Sequence, residues 1–178
     1  MITTITDLKR VITLEKNYYL KGKALSAWVV RSKDYSIFQF QKYLRKEEFY
    51  GNQSRGLANR ILYIWYKRKK NVLGQRLGFD IPSNCFEEGL RIHHVGPITV
   101  NSSARIGKNC EIAGNVCIGG SYGGAPTIGS DCYLGYGCVV IGNITLADCT
   151  IVGAGAVVTK SCMKKCKLVG VPAKAIAE

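Results

Sequence analysis

The chain has 178 residues, 47% of them hydrophobic and 21% charged, with a formal net charge of +13. Those values belong to an ordinary globular chain with one domain, or one domain and an appendage, and no apolar run reaches the ~18 residues that span a bilayer. The charge is lopsided: residues 1–80 carry 17 Lys and Arg against 6 Asp and Glu, and the remainder 8 against 6.

The first 75 residues read as helices. Leu8 to Tyr19 and Tyr35 to Glu48 predict short ones. Leu57 to Lys70 is the clearest, with Leu57, Ile61, Leu62, Ile64 and Trp65 as an apolar face and Ser54 as its N-cap. Lys67-Arg68-Lys69-Lys70 suits the negative end of that helix's dipole. Trp28, Trp65 and the tyrosines are expected to pack the helices together and against whatever follows. The basic clusters have two readings: a solvated face, or a surface that docks on an anionic partner such as a membrane surface or an acidic substrate. No nucleic-acid-binding signature accompanies them.

Residues 76–99 join this region to the rest. They contain Gly78-Phe79-Asp80-Ile81-Pro82 and the only two histidines, His93 and His94. A general base working near neutral pH is most often His. Adjacent residues in an extended segment face opposite ways, so one of the pair is expected to serve. Asp80, fourteen residues before His94, is the candidate carboxylate to orient it.

From Val100 onward an aliphatic residue recurs every six positions: Val100, Ile106, Ile112, Ile118, then Ile128, Leu134, Val140, Leu146, Val152 and Val158. The residue after each beat is mostly Gly or Ala, and the residue two before it is small or apolar. Neither helix nor strand periodicity fits, and hexapeptide repeats build a parallel β-helix with aliphatic side chains stacked inside. Glu88 and His94 fall where aliphatic beats would continue upstream, so the coil there is irregular. Gly119 to Pro126 interrupts the beat with a ten-residue step and four glycines, a loop that lets a ligand approach backbone. It lacks the G-x-x-x-x-G-K-[ST] of a phosphate loop. Gly170 to Lys174 is expected to close the last coil.

All eight cysteines lie from Cys85 onward. Cys110, Cys132 and Cys138 fall on the interior rhythm, and all are expected to be reduced thiols rather than zinc ligands or disulfides. No metal site is expected. No signal sequence is apparent, and a cytoplasmic location is expected. Without a nucleophile elbow or a metal cluster, the implied chemistry is direct transfer to a hydroxyl that His deprotonates.

Gly78-Phe79-Asp80-Ile81-Pro82, Ile92-His93-His94, Ile98-Thr99-Val100-Asn101, Ile118-Gly119-Gly120, Ile141 to Ile144, Val152 to Val158 and Gly170 to Lys174 resemble the left-handed β-helix (hexapeptide-repeat) acyltransferases. Within them the likeness is to serine acetyltransferases and to sugar O-acetyltransferases of polysaccharide gene clusters. It implies a mainly β chain, with a left-handed parallel β-helix acetyltransferase domain over 78–178 and a small α-helical N-terminal cap or oligomerisation region over 1–77. It implies acetyl-CoA as co-substrate, trimers or dimers of trimers, and active sites between adjacent solenoids. It matches His94 to the base, with His93 as its neighbour, and Asp80 to the orienting carboxylate. It matches Gly119, Gly120, Tyr136, Ala154 and Lys174 to the acetyl-CoA groove. Serine acetyltransferases carry an Arg-His pair before the Pro of the glycine loop, where this chain has Gly124-Ala125 before Pro126. A carboxylate wants a guanidinium partner, so the resemblance and this departure from it together imply an acetyl-CoA-dependent O-acetyltransferase for a sugar hydroxyl in surface-polysaccharide synthesis. Serine O-acetylation is the alternative, and a non-catalytic scaffold the second.

Overall fold

The computed structural model describes residues 2–53 and 56–176. The chain divides into two compact units, residues 1–77 and 78–178.

The first unit is helical: α1 (Ile5–Leu20), α2 (Ala24–Val29), α3 (Lys33–Gly51) and α4 (Leu57–Leu77). The Thr4 side chain accepts from the Asp7 N–H at 3.0 Å and that of Ser32 from the Tyr35 N–H at 3.2 Å, which starts α1 and α3. Ser54, the expected cap of α4, lies outside the described residues. α2 has no counterpart among the helices expected from sequence. The packing is partly ionic. Arg45 of α3 is 1% exposed and is held by Glu15 of α1 at 2.7 Å and Glu48 at 3.0 Å. Burial pulls the Arg45 guanidinium pKa down, but the two carboxylates outweigh it and hold it above its ordinary value.

α4 corrects the expected apolar face. Its buried residues are Tyr66, Lys70 and Gly74, whereas Leu57, Ile61, Ile64 and Trp65 are exposed. Tyr66 stacks on Tyr50 of α3 with centroids 5.5 Å apart, and Lys70 pairs with Glu47 of α3 at 3.0 Å. Polar-tipped side chains with partners on α3 thus take the inner face, and the aliphatic stripe is turned out. Trp28 is exposed as well.

The second unit is a parallel β-solenoid of short strands, β1 to β14, arranged as three sheets. One holds β1 (Phe79–Asp80), β3 (Ile98–Val100), β6 (Cys117–Gly119), β9 (Val139–Ile141) and β12 (Val157–Val158), in that order. The second holds β4 (Arg105–Ile106), β7 (Thr127–Ile128) and β10 (Thr145–Leu146). The third holds β2 (Arg91–Ile92), β5 (Glu111–Ile112), β8 (Tyr133–Leu134), β11 (Ile151–Val152), β13 (Lys167–Val169) and β14 (Lys174–Ile176).

The six-residue beat is the register. Val100, Ile118, Val140 and Val158 stack through the first sheet, Ile106, Ile128 and Leu146 through the second, and Ile112, Leu134 and Val152 through the third. All ten are at most 3% exposed. The Gly after a beat lies against the coil behind it: a Cβ on Gly135 would stand 2.6 Å from the Ala154 backbone nitrogen. Gly135→Val is therefore expected to lower stability by about 1–3 kcal/mol, read as a fall in the solenoid's melting temperature. β14 pairs antiparallel with β13, and the turn Gly170 to Lys174 closes the end of that sheet as expected.

Cys110, Cys132 and Cys138 are buried on the interior rhythm, as their spacing predicts. Cys162 and Cys166 depart from the expectation of free thiols: they are bonded to each other, their four-residue separation folding them into one short loop. Burial pushes the Cys138 thiol up to about 12 and raises those of Cys110 and Cys132. In folded protein at mild alkaline pH, a thiol reagent is expected to label exposed Cys149 and leave these three until unfolding. The unfolded chain ionises Cys138 first, from 9.0, so the solenoid loses stability as pH rises from there towards 12.

Candidate active site

The two breaks in the repeat stand at different corners of the solenoid. The first lies between β2 and β3. Val100 follows Ile92 by eight positions, whereas their stacked partners Ile118 and Ile112 are six apart. Two extra residues therefore bulge from this corner, and the bulge is His93-His94-Val95-Gly96-Pro97, with Gly96 at φ 133°. Upstream of it the beat continues in a shifted phase through Phe86 and Ile92, both buried, which stack on Ile106 and Ile112.

His93 is tied to the coil below. Its backbone N–H donates to the Ile112 carbonyl at 2.9 Å, and its Nε2 lies 2.8 Å from Glu111 Oε2. Arg91 approaches the other Glu111 oxygen at 3.6 Å, and the Tyr133 ring is 6.4 Å from the imidazole, centroid to centroid. Glu111 was not anticipated. Its signal was its position just before a beat, in the coil stacked under His93, and that stacking was legible only once the twenty-residue spacing of Ile92 and Ile112 was known.

His94 is exposed. Directly along the corner from it come Gly114, between β5 and β6, Tyr136, between β8 and β9, and Ala154, between β11 and β12. A Cβ on Gly114 would lie 3.2 Å from His94 Cβ and 3.1 Å from Tyr136 Cε2. Gly114, at φ 146°, thus keeps a gap open between imidazole and phenol. The Gly137 N–H donates to the Gly114 carbonyl at 3.0 Å and the Gly155 N–H to the Tyr136 carbonyl at 2.9 Å, so the corner is continuous. At about 4.8 Å per coil, His94 and Ala154 are ~14 Å apart along it, room for an extended ligand.

Asp80 is exposed on β1, beside Thr99 of β3, and no hydrogen bond joins it to His94 among the described residues. Lys174 is exposed on β14, at the far end of the third sheet.

The second break, Gly119 to Pro126, opens from the corner between β6 and β7. Ser121 and Gly124 exchange backbone hydrogen bonds at 2.8 and 3.0 Å, making a tight tip with Tyr122 fully exposed. Gly120 is packed under Asn101, whose Nδ2 would be 2.7 Å from an added Cβ, and Gly124 against Asn143. Sheet strands β3 and β6 separate this loop from His94 within one chain. Gly119 and Gly120 therefore belong to a different corner from Tyr136 and Ala154. Among the described residues there is no cluster of His, Cys, Asp or Glu able to hold a metal ion.

Repeat, register and corner define a hexapeptide-repeat β-solenoid protein with an accessible imidazole at one corner. No family model matches the chain. Over 137 residues it is 30% identical to a serine acetyltransferase of Bacillus pumilus, covering 68% of this chain and 62% of that protein. Over 130 residues it is 33% identical to mitochondrial serine acetyltransferase 3 of Arabidopsis thaliana, covering 66% and 33%. The chain thus spans less than two thirds of these relatives. Among solved structures, soybean serine acetyltransferase complexed with serine superposes with a TM-score of 0.75 at 22% identity, over 96% of this chain and 70% of that one. A serine acetyltransferase complex with CoA superposes with a TM-score of 0.68 at 17% identity, over 97% of this chain and 71% of that one. The chain is thus similar in sequence to serine acetyltransferases and shares the β-solenoid fold of their solved structures.

Proposed function

We propose that the protein is an acetyl-CoA-dependent O-acetyltransferase, with His94 as its general base. The observation that carries this reading is the single corner along which His94, Gly114, Tyr136 and Ala154 are aligned. A thioester arm laid along it would bring its carbonyl to the imidazole. His94 takes the proton of an acceptor hydroxyl as its oxygen attacks the thioester carbon. The tetrahedral oxyanion collapses, the C–S bond breaks, and the leaving thiolate takes the proton back from His94. Asp80, which is not hydrogen-bonded to His94 among the described residues, would orient the imidazole by closing on it in the substrate complex, and His93, held by Glu111, fixes the corner. Lys174 would meet the nucleotide end of the co-substrate. Backbone N–H groups around Gly119-Gly120 would stabilise the oxyanion from a neighbouring copy, because within one chain they stand at another corner. A homotrimer of solenoids, or a dimer of trimers, would complete the site.

The acceptor favoured by the relatives is L-serine, since the curated proteins compared above are named serine acetyltransferases. This reverses the sugar acceptor that the missing Arg-His pair implied. A sugar hydroxyl is kept as a second reading for one reason: Gly124-Ala125 brings no cation to the loop. Release of free CoA thiol with L-serine, compared with a panel of sugars and nucleotide sugars, decides between them. CoA is expected to raise the melting temperature, by mass action on the folded state. No shift and no transfer to any acceptor would leave the scaffold reading.

Gly114→Val tests the corner itself. A branched side chain there fills the gap between His94 and Tyr136, so transfer is expected to fall at least tenfold while circular dichroism keeps its wild-type shape. Wild-type turnover in that variant would argue that the co-substrate lies elsewhere.

A further inference from the structure

The helical unit carries a groove of about 1090 Å³ between α2 and α4, floored by α3. Its rims are apolar and open to solvent. Trp28 and Val29 of α2 are 57% and 65% exposed and Trp65 and Val72 of α4 45% and 43%, all lining the groove; Val30, just past α2, and Ile61 and Ile64 of α4 are exposed as well. Isolated exposed apolar residues need no explanation, but two facing stripes on neighbouring helices form a patch that wants a partner.

The polar part of the groove is cationic. Arg31, Arg68, Lys69 and Arg76 line it, and Lys69 sits over the Trp65 ring at 4.5 Å. Neither α2 nor α4 contains an acidic residue. Residues 1–77 as a whole carry 17 Lys and Arg against 5 Asp and Glu. Arg31, Arg68 and Arg76 have no carboxylate partner among the described residues.

We infer that this face docks on a bilayer surface carrying anionic lipids. Tryptophan is the side chain that prefers the lipid–water interface, aliphatic residues beside it bury shallowly among acyl chains, and arginines reach back to phosphates. Clustered Lys and Arg next to such a face are attracted to anionic leaflets. A second copy of the same face is the competing occupant, and the charge opposes it: pairing would bring two acid-free, cationic surfaces together. No helix among the described residues is long and apolar enough to cross a membrane, so the contact would be peripheral.

Both tryptophans of the chain lie on this groove, so intrinsic fluorescence reports on it directly. The full chain is mixed with phosphatidylcholine vesicles with and without phosphatidylserine, followed by co-sedimentation and emission spectra. Binding to the anionic vesicles with a blue-shifted emission, weakened by salt, is the expected result. Arg68→Ala/Arg76→Ala is expected to weaken partitioning about tenfold or more, and Trp28→Ala/Trp65→Ala to remove the apolar share, with melting temperature and acetyl transfer unchanged. Inorganic phosphate at matched ionic strength should neither shift the emission nor displace the vesicles beyond the effect of salt. Three results would overturn the inference: no association with anionic vesicles, equal association of the variants, or light scattering that shows the double-tryptophan variant losing an oligomer while vesicles leave the wild type untouched.

Discussion

Replacing His94 by Ala is expected to lower acetyl transfer by ~10²–10⁴-fold, the usual contribution of a positioned general base. Fold should persist, because His94 is exposed and its side chain makes no hydrogen bond among the described residues. CoA should still raise the melting temperature, since Tyr136 and Ala154 lie further along the corner and are untouched. His93→Ala is the control. That imidazole is bound to Glu111 at 2.8 Å, so its loss is expected to loosen the corner and cost less activity than loss of His94. Glu111→Gln, which keeps the shape and removes the charge, should fall with His93→Ala and not with His94→Ala. If instead His93→Ala and Glu111→Gln abolish transfer and His94→Ala retains it, the base is His93 and the carboxylate is Glu111, with Asp80 a bystander. Parallel measurement on Asp80→Asn separates these cases, since only a dyad with His94 makes that variant as severe as the loss of the imidazole.

The second large effect concerns the helical unit alone. Glu15→Ala is expected to destabilise it by about 3–5 kcal/mol, because Arg45 would be left buried with one of its two carboxylates gone. Among the described residues the solenoid contains no α-helix, so loss of helical circular dichroism in urea reports this unit and need not coincide with unfolding of the β-structure. Replacing Arg45, Glu15 and Glu48 together by apolar residues of similar size should recover most of the loss, as the desolvation cost of the ions disappears with the ions. A small effect of Glu15→Ala would mean that Glu48 alone compensates Arg45.

The two units differed in how much the sequence disclosed. A solenoid stacks near neighbours, so each coil's register is set by a local pattern, and ten beats were enough to place ten interior residues. The upstream coil was less legible, because two inserted residues shift the phase and make Phe86 and Ile92 look out of step with Val100. Three of the four helices were located, α2 was missed, α4 runs on from Lys70 to Leu77, and the exposed side of α4 was misjudged. Apolar periodicity marks a face and says nothing of what the other face can do. Here Tyr66 and Lys70 had partners on α3, and that pairing turned Ile61, Ile64 and Trp65 outward. The acceptor shows a similar limit, since the absent Arg-His pair pointed to a sugar, whereas the relatives favour serine.

The sequence by itself determined the β-solenoid, its interior, the two breaks in its repeat and the imidazole at one of them. Those follow from short-range periodicity and from the scarcity of histidine. Only the tertiary structure decided which break shares a corner with which residues. Coil length sets what stacks on what, and a few inserted residues per coil place Gly114 and Tyr136 beside His94, Glu111 beside His93, and the glycine loop at another corner altogether.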